Sequence, residues 1–536
     1  MLNNLTFRPH FPYSLAPEDC AIETLNVEGA PGETLLASVS VSCSTPRRDL
    51  RISVVDLIGP GGTIAANRID LYVVKVWEQS GLGVYRCQPI SVPELLVKDD
   101  SVTLRDGYRR VYNNWKNYIK PRYVHDSPDV RLDGDVHTAL EPGVAKQIWV
   151  RIRLDAQAAS GEYSGRIAFN GAFNGESLPL HLTVLPIVLA EPEQDLMLWY
   201  KGTLDPTVLQ YYVDEPEFRA QLQDIRAHGF TSISLTEYRA EFLQRALDIA
   251  HEVGFRRSVI LHWPFPPGVL TLNYHGMRPI LYISDEIDTR GPEYIAQHVE
   301  RDTQKPPEAQ TMICLRQESF YRLRLMNPED IGHPPDLVAY FVSDNLTYFT
   351  MLSQFPQQSG GNVFYYWPCH MEKPNVNRVL MGCFLWKSRA AGAFPYCYQH
   401  PPVYPNLAYD DFDYWDVGTR GDVRPLRDHM TTYPARQGSV PTIQWEGLRE
   451  GITDLKYLVT LDRELARISD VSGSESLADE IRQRRDAFLA RIKFQTIQVT
   501  ADMEREPYTG IRPEEYAEFR TKLGRDIAML QSIGSQ

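Results

Sequence analysis

Residues 278–286 read RPILYISDE, an unbroken apolar run that ends at two adjacent carboxylates, Asp285 and Glu286. Short apolar runs that alternate with amphipathic segments predict buried strands joined by helices. Seven further runs of this kind follow Glu193, so the region predicts a (β/α)8 TIM-like barrel, with a doubly wound open sheet as the alternative. The seven runs are 197–200, 231–236, 258–263, 311–315, 337–343, 362–367 and 392–398, and the helical segments include 217–228, 240–253 and 292–305.

The sequence before the predicted barrel has a period of two. Apolar residues occupy every second position in residues 148–154 and again in residues 178–184. Each such run predicts a strand with one buried face, and the Gly- and Pro-rich turns between the runs are typical of a β-sandwich. This part of the chain therefore predicts an all-β domain.

The C-terminal part has helical spacing instead. Leu448, Ile452 and Leu455 begin a series of apolar residues at intervals of three and four, which predicts helices that pack on the flank of the barrel. We therefore predict a multidomain β plus α/β chain. Its parts are a β-sandwich over residues 1–193, a catalytic barrel over 194–440 and C-terminal helices over 441–536.

Composition excludes several classes of partner. The 536 residues include 55 Lys and Arg against 69 Asp and Glu, a net charge of −14, and no basic block stands out. Nucleic acid and anionic membrane surfaces are therefore not expected as partners. The longest strongly apolar stretch, 182–190, contains Pro186 and is far shorter than the roughly 20 residues that a membrane helix needs. A folded protein without a membrane span is expected.

The location of the protein is predicted from the N-terminus and the cysteines. Residues 1–20 have neither a basic segment nor an uninterrupted apolar segment of the kind that forms a secretory signal. Seven scattered cysteines without C-x-x-C spacing fit free thiols in a reducing compartment. A cytoplasmic protein is expected, unless a leader is missing from the sequence. The oligomeric state stays open, a homo-oligomer included.

Sequence motifs leave carboxylate chemistry as the main option. The chain has no H-E-x-x-H, Walker loop, G-x-G-x-x-G after a strand or G-x-S-x-G, so we expect neither a metal site nor a cofactor. Catalytic groups of a barrel lie at the C-terminal ends of its strands. The acidic residues at such positions are Glu237, the pair Asp285 and Glu286, Asp344, and the cluster Asp410, Asp411 and Asp413.

The adjacent pair is the strongest of these candidates. Two neighbouring carboxylates disfavour joint ionisation, so one of them tends to stay protonated. A protonated carboxyl group can act as a general acid, while its ionised neighbour can stabilise developing positive charge. The alternative is that Asp285 or Asp288 caps a helix that begins near Pro292. A second pair, Asp214 and Glu215, is followed by Pro216 and is interpreted as the start of a helix.

Aromatic residues near the predicted strand ends could bind sugars. An electron-rich ring suits the apolar C–H face of a carbohydrate, and tyrosine adds a hydroxyl group. Each residue could equally pack in the core. The candidates are Trp199, Trp263, Trp367, Tyr396 and Tyr398.

Several stretches of the chain resemble glycoside hydrolase family 123, the retaining β-N-acetylgalactosaminidases, and the glycosidase-like proteins that share its C-terminal region. They are YISDEID at the strand end, GGNVFYYWPC with NRVLMGCFLWKSRAAGAFPYCYQH, and SVPTIQWEGLREGITDLKYL. The N-terminal runs DLRISVVDLIGPGG and EPGVAKQIWVRIRL to SGEYSGRIAF resemble the β-sandwich that precedes the family's barrel. The resemblance covers about residues 20 to 470. Arg449, Glu450 and Asp454 in the last signature are interpreted as structural residues.

The resemblance implies substrate-assisted hydrolysis, in which the 2-acetamido oxygen of the sugar attacks the anomeric carbon. Glu286 would then be the general acid/base, and Asp285 would orient the acetamido N–H and balance the positive charge. A tyrosine that donates to the acetamido oxygen is also expected, and Tyr398, Tyr396 and Tyr365 are the candidates. Ile287 stands where the family usually has Pro.

The function predicted from the sequence is a retaining, exo-acting glycoside hydrolase for a terminal 2-acetamido-2-deoxy sugar. One alternative is a glycosidase of another sugar with an ordinary carboxylate pair, Glu286 with Glu237 or Asp344. Another is a non-catalytic carbohydrate-binding protein whose sandwich recognises the sugar. All three readings have a carbohydrate as the partner.

Overall fold

A computed structural model describes most of the chain, and all structural statements refer to the residues it describes. These are 5–9, 21–80, 89–101, 130–171, 175–208, 212–286, 297, 300–301, 309–315, 337–341, 363–369, 374–399, 430–435, 438–469, 471, 473–492, 495–497, 506–508 and 511–533.

The N-terminal part forms two sheets. In spatial order, the first contains β1 (Leu5–Pro9), β3 (Thr34–Cys43), β10 (Lys146–Arg153), β7 (Ile69–Ser80) and β8 (Pro89–Val97). The second contains β2 (Leu25–Gly29), β12 (Glu176–Val184), β11 (Gly161–Asn170), β4 (Arg47–Val54) and β9 (Val136–Leu140), with β5 (Leu57–Gly59) paired to β11 and β6 (Gly62–Ile64) paired to β5. All these pairs are antiparallel except β12 with β2.

The period of two in the sequence matches the burial of these strands. Leu178, Leu180, Leu182 and Val184 on β12 are buried, and they share one hydrophobic core with residues of both sheets. Trp149, between two inward-facing residues of β10, is also buried, because on the other face of the first sheet it packs with Tyr72 of β7 and with Ile443. The two sheets thus bury a common core between them.

Eight parallel strands form the third sheet, and their order in space follows their order in the chain. The first strand lies beside the eighth, and the second strand is at the other edge. The strands are β13 (Asp195–Leu196), β14 (Ile233–Leu235), β15 (Ser258–His262), β16 (Arg278–Ser284), β17 (Gln310–Leu315), β18 (Leu337–Phe341), β19 (Val363–Pro368) and β20 (Gly392–Tyr396). All eight overlap or adjoin the predicted runs.

A closed barrel is not confirmed, because β13 and β14 do not pair as a strand ladder. They are connected more loosely. The N–H groups of Thr231 and Ser232 donate to the carbonyl oxygen of Leu196, at 2.9 and 3.0 Å. The buried Asp195 carboxylate accepts from Ser232 Oγ at 2.7 Å and from Ser258 Oγ at 3.1 Å, so a single carboxylate links the first three strands at their N-terminal ends.

The two faces of this sheet have different surroundings. Alternate residues such as Leu281 and Ile283 belong to the core formed with the helices, and we call this side the helix face. The residues between them form a separate cluster on the other side, the inner face, to which Trp199 also packs. The inner-face residues are Met197, Ile260, Ile280, Tyr282, Met312, Cys314, Phe364, Tyr366 and Phe394.

The helices lie between and after the strands of the third sheet. Asp214 caps the first helix by accepting from Glu217 N at 3.0 Å, which confirms the prediction of a helix start at this pair. The helices are α1 (Glu215–Ala227), α2 (Ala240–Glu252), α3 (Pro374–Val379), α4 (Leu385–Ser388), α5 (Ile443–Arg467), α6 (Glu475–Ala490) and α7 (Pro513–Ser532). A π-helical segment, Leu380–Phe384, joins α3 to α4. Two short hairpins complete the described elements, β21 (Thr432–Pro434) with β22 (Ser439–Pro441), and β23 (Gln495–Ile497) with β24 (Glu506–Tyr508).

None of the helices among the described residues is long and apolar enough to cross a membrane. The five cysteines in the described ranges are buried and form no disulfide there. The domain boundaries at residues 193 and 440 stay predictions. Tyr433 and Val440 pack with the N-terminal sheets, while Leu185 and Ile187 pack in the core of the third sheet.

A buried ion-pair network attaches α7 and α3 to α5. Asp454 accepts from Arg378 Nε at 2.6 Å and from Arg520 Nε at 2.7 Å, and Glu450 lies 2.9 Å from Arg520 Nη1. The two arginines hold the pKa of the Asp454 carboxyl below its usual range despite its burial. Together with Arg449, which bonds to the carbonyl oxygen of Ala227, these contacts support a structural role for the signature residues.

We expect Asp454→Asn to destabilise the fold by about 3–5 kcal/mol, because it leaves two buried guanidinium groups without their shared carboxylate. Urea denaturation followed by circular dichroism measures this change as a lower midpoint. The matched control is Asp479→Asn, since Asp479 forms an exposed pair with Arg482. This control is expected to cost about 0–1 kcal/mol. Equal losses in the two variants would contradict the role of the network.

Candidate active site

A cavity of about 290 Å³ opens at the C-terminal ends of the parallel strands. Residues that follow or end the first four strands line it, together with one residue from the next connection. The lining residues are Trp199, Lys201, Thr236, Tyr238, His262, Trp263, Tyr282, Ile283, Ser284, Asp285 and Arg301. This is the edge of a parallel sheet at which ligands bind in α/β folds.

The carboxylate pair lies where β16 loses its regular geometry. The register between β16 and β17 shifts after Tyr282, which is the mark of a β-bulge. Glu286 then has a left-handed backbone conformation, with φ of 43°. A non-glycine residue in this region is uncommon and is often found at functional sites.

This local geometry directs both carboxylates toward tyrosines of the inner face. Tyr282 Oη donates to Asp285 Oδ1 at 2.6 Å, and Tyr366 Oη donates to Glu286 Oε1 at 3.1 Å. Neighbouring residues of a regular strand would point to opposite faces. Because the strand ends at Ser284, the pair instead reaches two phenols of the same aromatic cluster.

Aromatic and cationic side chains form the cavity walls beside Asp285. Trp199 contacts His262, Tyr282 and Tyr396, with ring centroids 4.5, 5.3 and 5.8 Å away. Lys201 Nζ lies 4.8 Å from the centre of the Tyr396 ring. The Arg301 guanidinium lies 5.8 Å from the centre of the Trp263 ring. Such walls combine apolar ring faces with hydrogen-bond donors, as sugar-binding sites require.

Glu237 lies beside the cavity but does not line it. Its side chain is buried, Thr203 Oγ1 donates to Oε2 at 2.6 Å, and Leu204 N donates to Oε1 at 2.7 Å. Both oxygens therefore hold the segment after β13, which carries Lys201 into the cavity. Burial raises the pKa of Glu237 to about 7, although these two hydrogen bonds lower it.

The raised pKa of Glu237 predicts a pH-dependent contribution to stability. The folded protein keeps the proton up to about pH 7, whereas the unfolded chain releases it near 4.5. The contribution is therefore complete below about pH 4.5 and is lost as the pH rises to about 7. We expect the free energy of unfolding of Glu237→Gln, relative to wild type, to rise by about 1–3 kcal/mol over this interval, because the amide does not titrate.

Urea unfolding at several pH values between 4.5 and 7.5 measures this difference. Glu241→Gln is the matched control, since Glu241 is an exposed carboxylate on α2. The control is expected to follow wild type at every pH. Parallel curves of unfolding free energy against pH for wild type and Glu237→Gln would contradict a raised pKa at Glu237.

Two of the predicted sugar-binding aromatics lie away from the cavity. Trp367 is fully buried on the helix face, and its Nε1 donates to Asn377 Oδ1 at 3.1 Å. Tyr398 is fully buried as well, and its Oη donates to Asp224 Oδ2 at 2.9 Å. Tyr365 likewise donates to the carbonyl oxygen of Leu380 at 2.6 Å. The structure places Trp199 and Trp263 at the cavity and Tyr396 beside Trp199.

Sequence reasoning did not select His262, Tyr282 or Tyr366, which the structure places at the cavity or against the carboxylates. The alternation of side chains along a strand was a usable signal. Tyr282 lies two residues before Ser284 and so shares its face, whereas Tyr366 lies between Tyr365 and Trp367 and so faces the opposite way. The period of two places Tyr366 on one face of the strand and its two neighbours on the other. It does not show which of the two faces points inward.

Some of the predicted residues lie outside the described part of the chain. They are Asp344, Asp288, the cluster Asp410, Asp411 and Asp413, and most of the segment 292–305. In the described ranges, no group of three or more histidine, cysteine, aspartate or glutamate side chains is arranged to hold a metal ion.

Comparison with solved structures identifies a similar fold. A family 123 glycoside hydrolase from Clostridium perfringens, studied for glycolipid glycan hydrolysis, superposes with a TM-score of 0.63 at 12% identity, over 99% of this chain and 98% of that chain. This chain has the fold of that enzyme. The resemblance read from the sequence is therefore confirmed at the level of the fold.

Other comparisons add little. A β-glucuronidase from Parabacteroides merdae matches 80% of this chain and 52% of its own, at 9% identity and a TM-score of 0.32. An endo-β-1,4-mannanase from Thermotoga petrophila matches 50% of this chain and 77% of its own, at 9% identity and a TM-score of 0.29. No family model and no curated protein matches the sequence.

Proposed function

We propose that this protein is a glycoside hydrolase that acts from the end of a glycan on a terminal 2-acetamido-2-deoxy sugar. One observation carries the proposal: Asp285 lines a cavity with aromatic and cationic walls, the adjacent Glu286 follows it directly, and each carboxylate accepts a hydrogen bond from an inner-face tyrosine. The fold shared with a family 123 glycoside hydrolase supports it. The proposal includes a barrel-like arrangement of the third sheet, since Asp195 connects its first three strands.

The two carboxylates have different tasks in this proposal. Glu286 gives its proton to the glycosidic oxygen while the acetamido oxygen forms a bond to the anomeric carbon, and the bond from that carbon to the leaving group breaks. Asp285 accepts a hydrogen bond from the acetamido N–H and balances the charge of the oxazolinium ion. Glu286 then takes a proton from water. The water oxygen attacks the same carbon, and the bond from this carbon to the acetamido oxygen breaks, which opens the oxazolinium ring. Two displacements at one carbon retain its configuration.

A tyrosine completes this arrangement by donating to the acetamido oxygen. Of the three sequence candidates, Tyr365 and Tyr398 have their hydroxyl groups bonded on the helix side of the sheet. Tyr396 packs beside Trp199 and Lys201, and both of these residues line the cavity. We therefore assign this role to Tyr396.

The ordinary carboxylate pair in which Glu237 is the nucleophile is less well supported. A nucleophile must be free to approach the anomeric carbon, but both oxygens of Glu237 accept hydrogen bonds from the segment after β13. A panel of nitrophenyl glycosides with and without the 2-acetamido group tests the proposal. Cleavage of the N-acetyl substrates alone is expected. Preferred cleavage of glycosides without that group would favour the ordinary pair, and binding without any cleavage would favour a carbohydrate-binding protein.

A further inference from the structure

His262 is the last residue of β15, and its ring forms part of the cavity wall. The ring centroid is 4.5 Å from that of Trp199 and 5.2 Å from that of Tyr282. Tyr282 in turn donates to Asp285. The imidazole is therefore held by two rings on the same wall as the carboxylate that would orient the acetamido group.

One of the two ring nitrogens needs a hydrogen-bond partner that the described part of the chain does not supply. Nε2 is buried and has no hydrogen-bond partner among the residues that the structure describes. A buried polar atom without a partner has lost its hydrogen bond to water without a replacement, so it needs an explanation. A ligand that supplies the missing hydrogen bond would remove this cost.

The charge state of His262 restricts the kind of ligand. Burial lowers the pKa of its imidazole to about 3, and the nearby Lys201 lowers it further in the same direction. The ring is therefore neutral near neutral pH. A neutral imidazole has one donor and one acceptor nitrogen, which suits a hydroxyl group better than a carboxylate or a phosphate.

We propose that His262 is a substrate-binding residue that hydrogen-bonds a ring hydroxyl group of the sugar in the cavity. This inference rests on the proposed function, and it adds a specificity residue beyond the carboxylate pair. A deoxy analogue that lacks this hydroxyl group cannot form the hydrogen bond with His262.

Kinetics with deoxy substrates test this role. His262→Phe keeps a ring between Trp199 and Tyr282 but removes both nitrogens, and His262→Asn keeps a polar group. The nitrophenyl N-acetyl glycoside is compared with its 3-, 4- and 6-deoxy analogues. For wild type, we expect kcat/KM to fall about tenfold or more on one analogue. On the parent substrate, kcat/KM of His262→Phe should be lower than that of wild type by about the same factor. On that analogue, kcat/KM of the variant should be little lower than that of wild type, because the hydrogen bond to His262 is already absent.

Several outcomes are informative. Partial recovery in His262→Asn on the parent substrate would support a hydrogen bond. An equal loss of His262→Phe on the parent and all three analogues would overturn the proposal, since a merely structural ring affects every substrate alike. The control is His181→Phe, which removes an exposed imidazole of the second sheet and should match wild type. Thermal unfolding verifies that the variants are folded.

Binding separates a failure of this inference from a failure of the proposed function. Isothermal titration of wild type and His262→Phe with N-acetylgalactosamine and its deoxy analogues needs no turnover. If wild type binds the sugar without cleaving any glycoside, the proposed activity fails while the weaker binding of His262→Phe still supports the contact. If wild type cleaves the glycosides and His262→Phe binds and cleaves them equally well, only the His262 inference fails. If wild type neither binds nor cleaves, both are overturned.

Discussion

Glu286→Gln is expected to lower kcat/KM by about 10²–10⁴-fold on glycosides with poor leaving groups, and much less on those with good ones. A poor leaving group needs a proton from the general acid as its bond to the anomeric carbon breaks. A leaving group of low pKa departs without that proton. Rates for a series of aryl and alkyl N-acetyl glycosides measure the effect as a steeper dependence of rate on leaving-group pKa.

A matched control for this series is Glu241→Gln, the same change at an exposed position on α2. It should leave the whole series unchanged. Tyr366→Phe removes the hydroxyl that donates to Glu286, so it probes the positioning of the acid without removing the acid. An equal loss of rate in Glu286→Gln on good and poor leaving groups would eliminate Glu286 as the general acid.

Asp285→Asn is expected to keep the fold but lower kcat by about 10²–10³-fold. The amide is neutral, so it no longer balances the positive charge that develops on the oxazolinium ion. It also presents an N–H group where the substrate's acetamido N–H needs an acceptor. Steady-state kinetics on the nitrophenyl N-acetyl substrate measure the loss. Tyr282→Phe is the matched variant, because it removes the hydrogen bond to Asp285 and so tests the position of this carboxylate without neutralising its charge.

Inhibitors distinguish the two mechanisms at the same residue. A thiazoline analogue of the N-acetyl sugar mimics the oxazolinium intermediate and should inhibit wild type strongly and Asp285→Asn weakly. An enzyme with a protein nucleophile would instead be labelled by a 2-fluoro glycoside. Intact-mass spectra that show a glycosyl adduct on Glu237, Asp344 or another carboxylate would overturn substrate-assisted catalysis.

The elements that the sequence predicted well are those with a local signal. The run before Asp285 and Glu286 became a strand of the third sheet, Arg278–Ser284. A continuous apolar run is fully buried only in a sheet that is covered on both faces, as parallel sheets are. The start of α1 was equally local, since the Asp214 side chain satisfies an N–H group only three residues away. The two carboxylates at the strand end were therefore visible without tertiary contacts.

Residues whose role depends on distant contacts were harder to predict. Glu237 follows a strand just as Asp285 does, yet it is buried by Thr203 and Leu204, which lie more than thirty positions away in the chain. Trp367 and Tyr366 are adjacent and both aromatic, but only Tyr366 contacts the carboxylates. Composition alone does not separate such neighbours.

Local chemistry thus determined the strands, the first helix cap and the carboxylate pair, since each depends on residues within a few positions of one another. The face that each side chain occupies was decided by packing, because helices cover one side of the third sheet and leave the aromatic cluster on the other. The bulge after Tyr282 and the left-handed backbone at Glu286 also belong to this second group. The bulge lies in the pairing with β17, and the tyrosine that donates to Glu286, Tyr366, is 80 residues away in the chain.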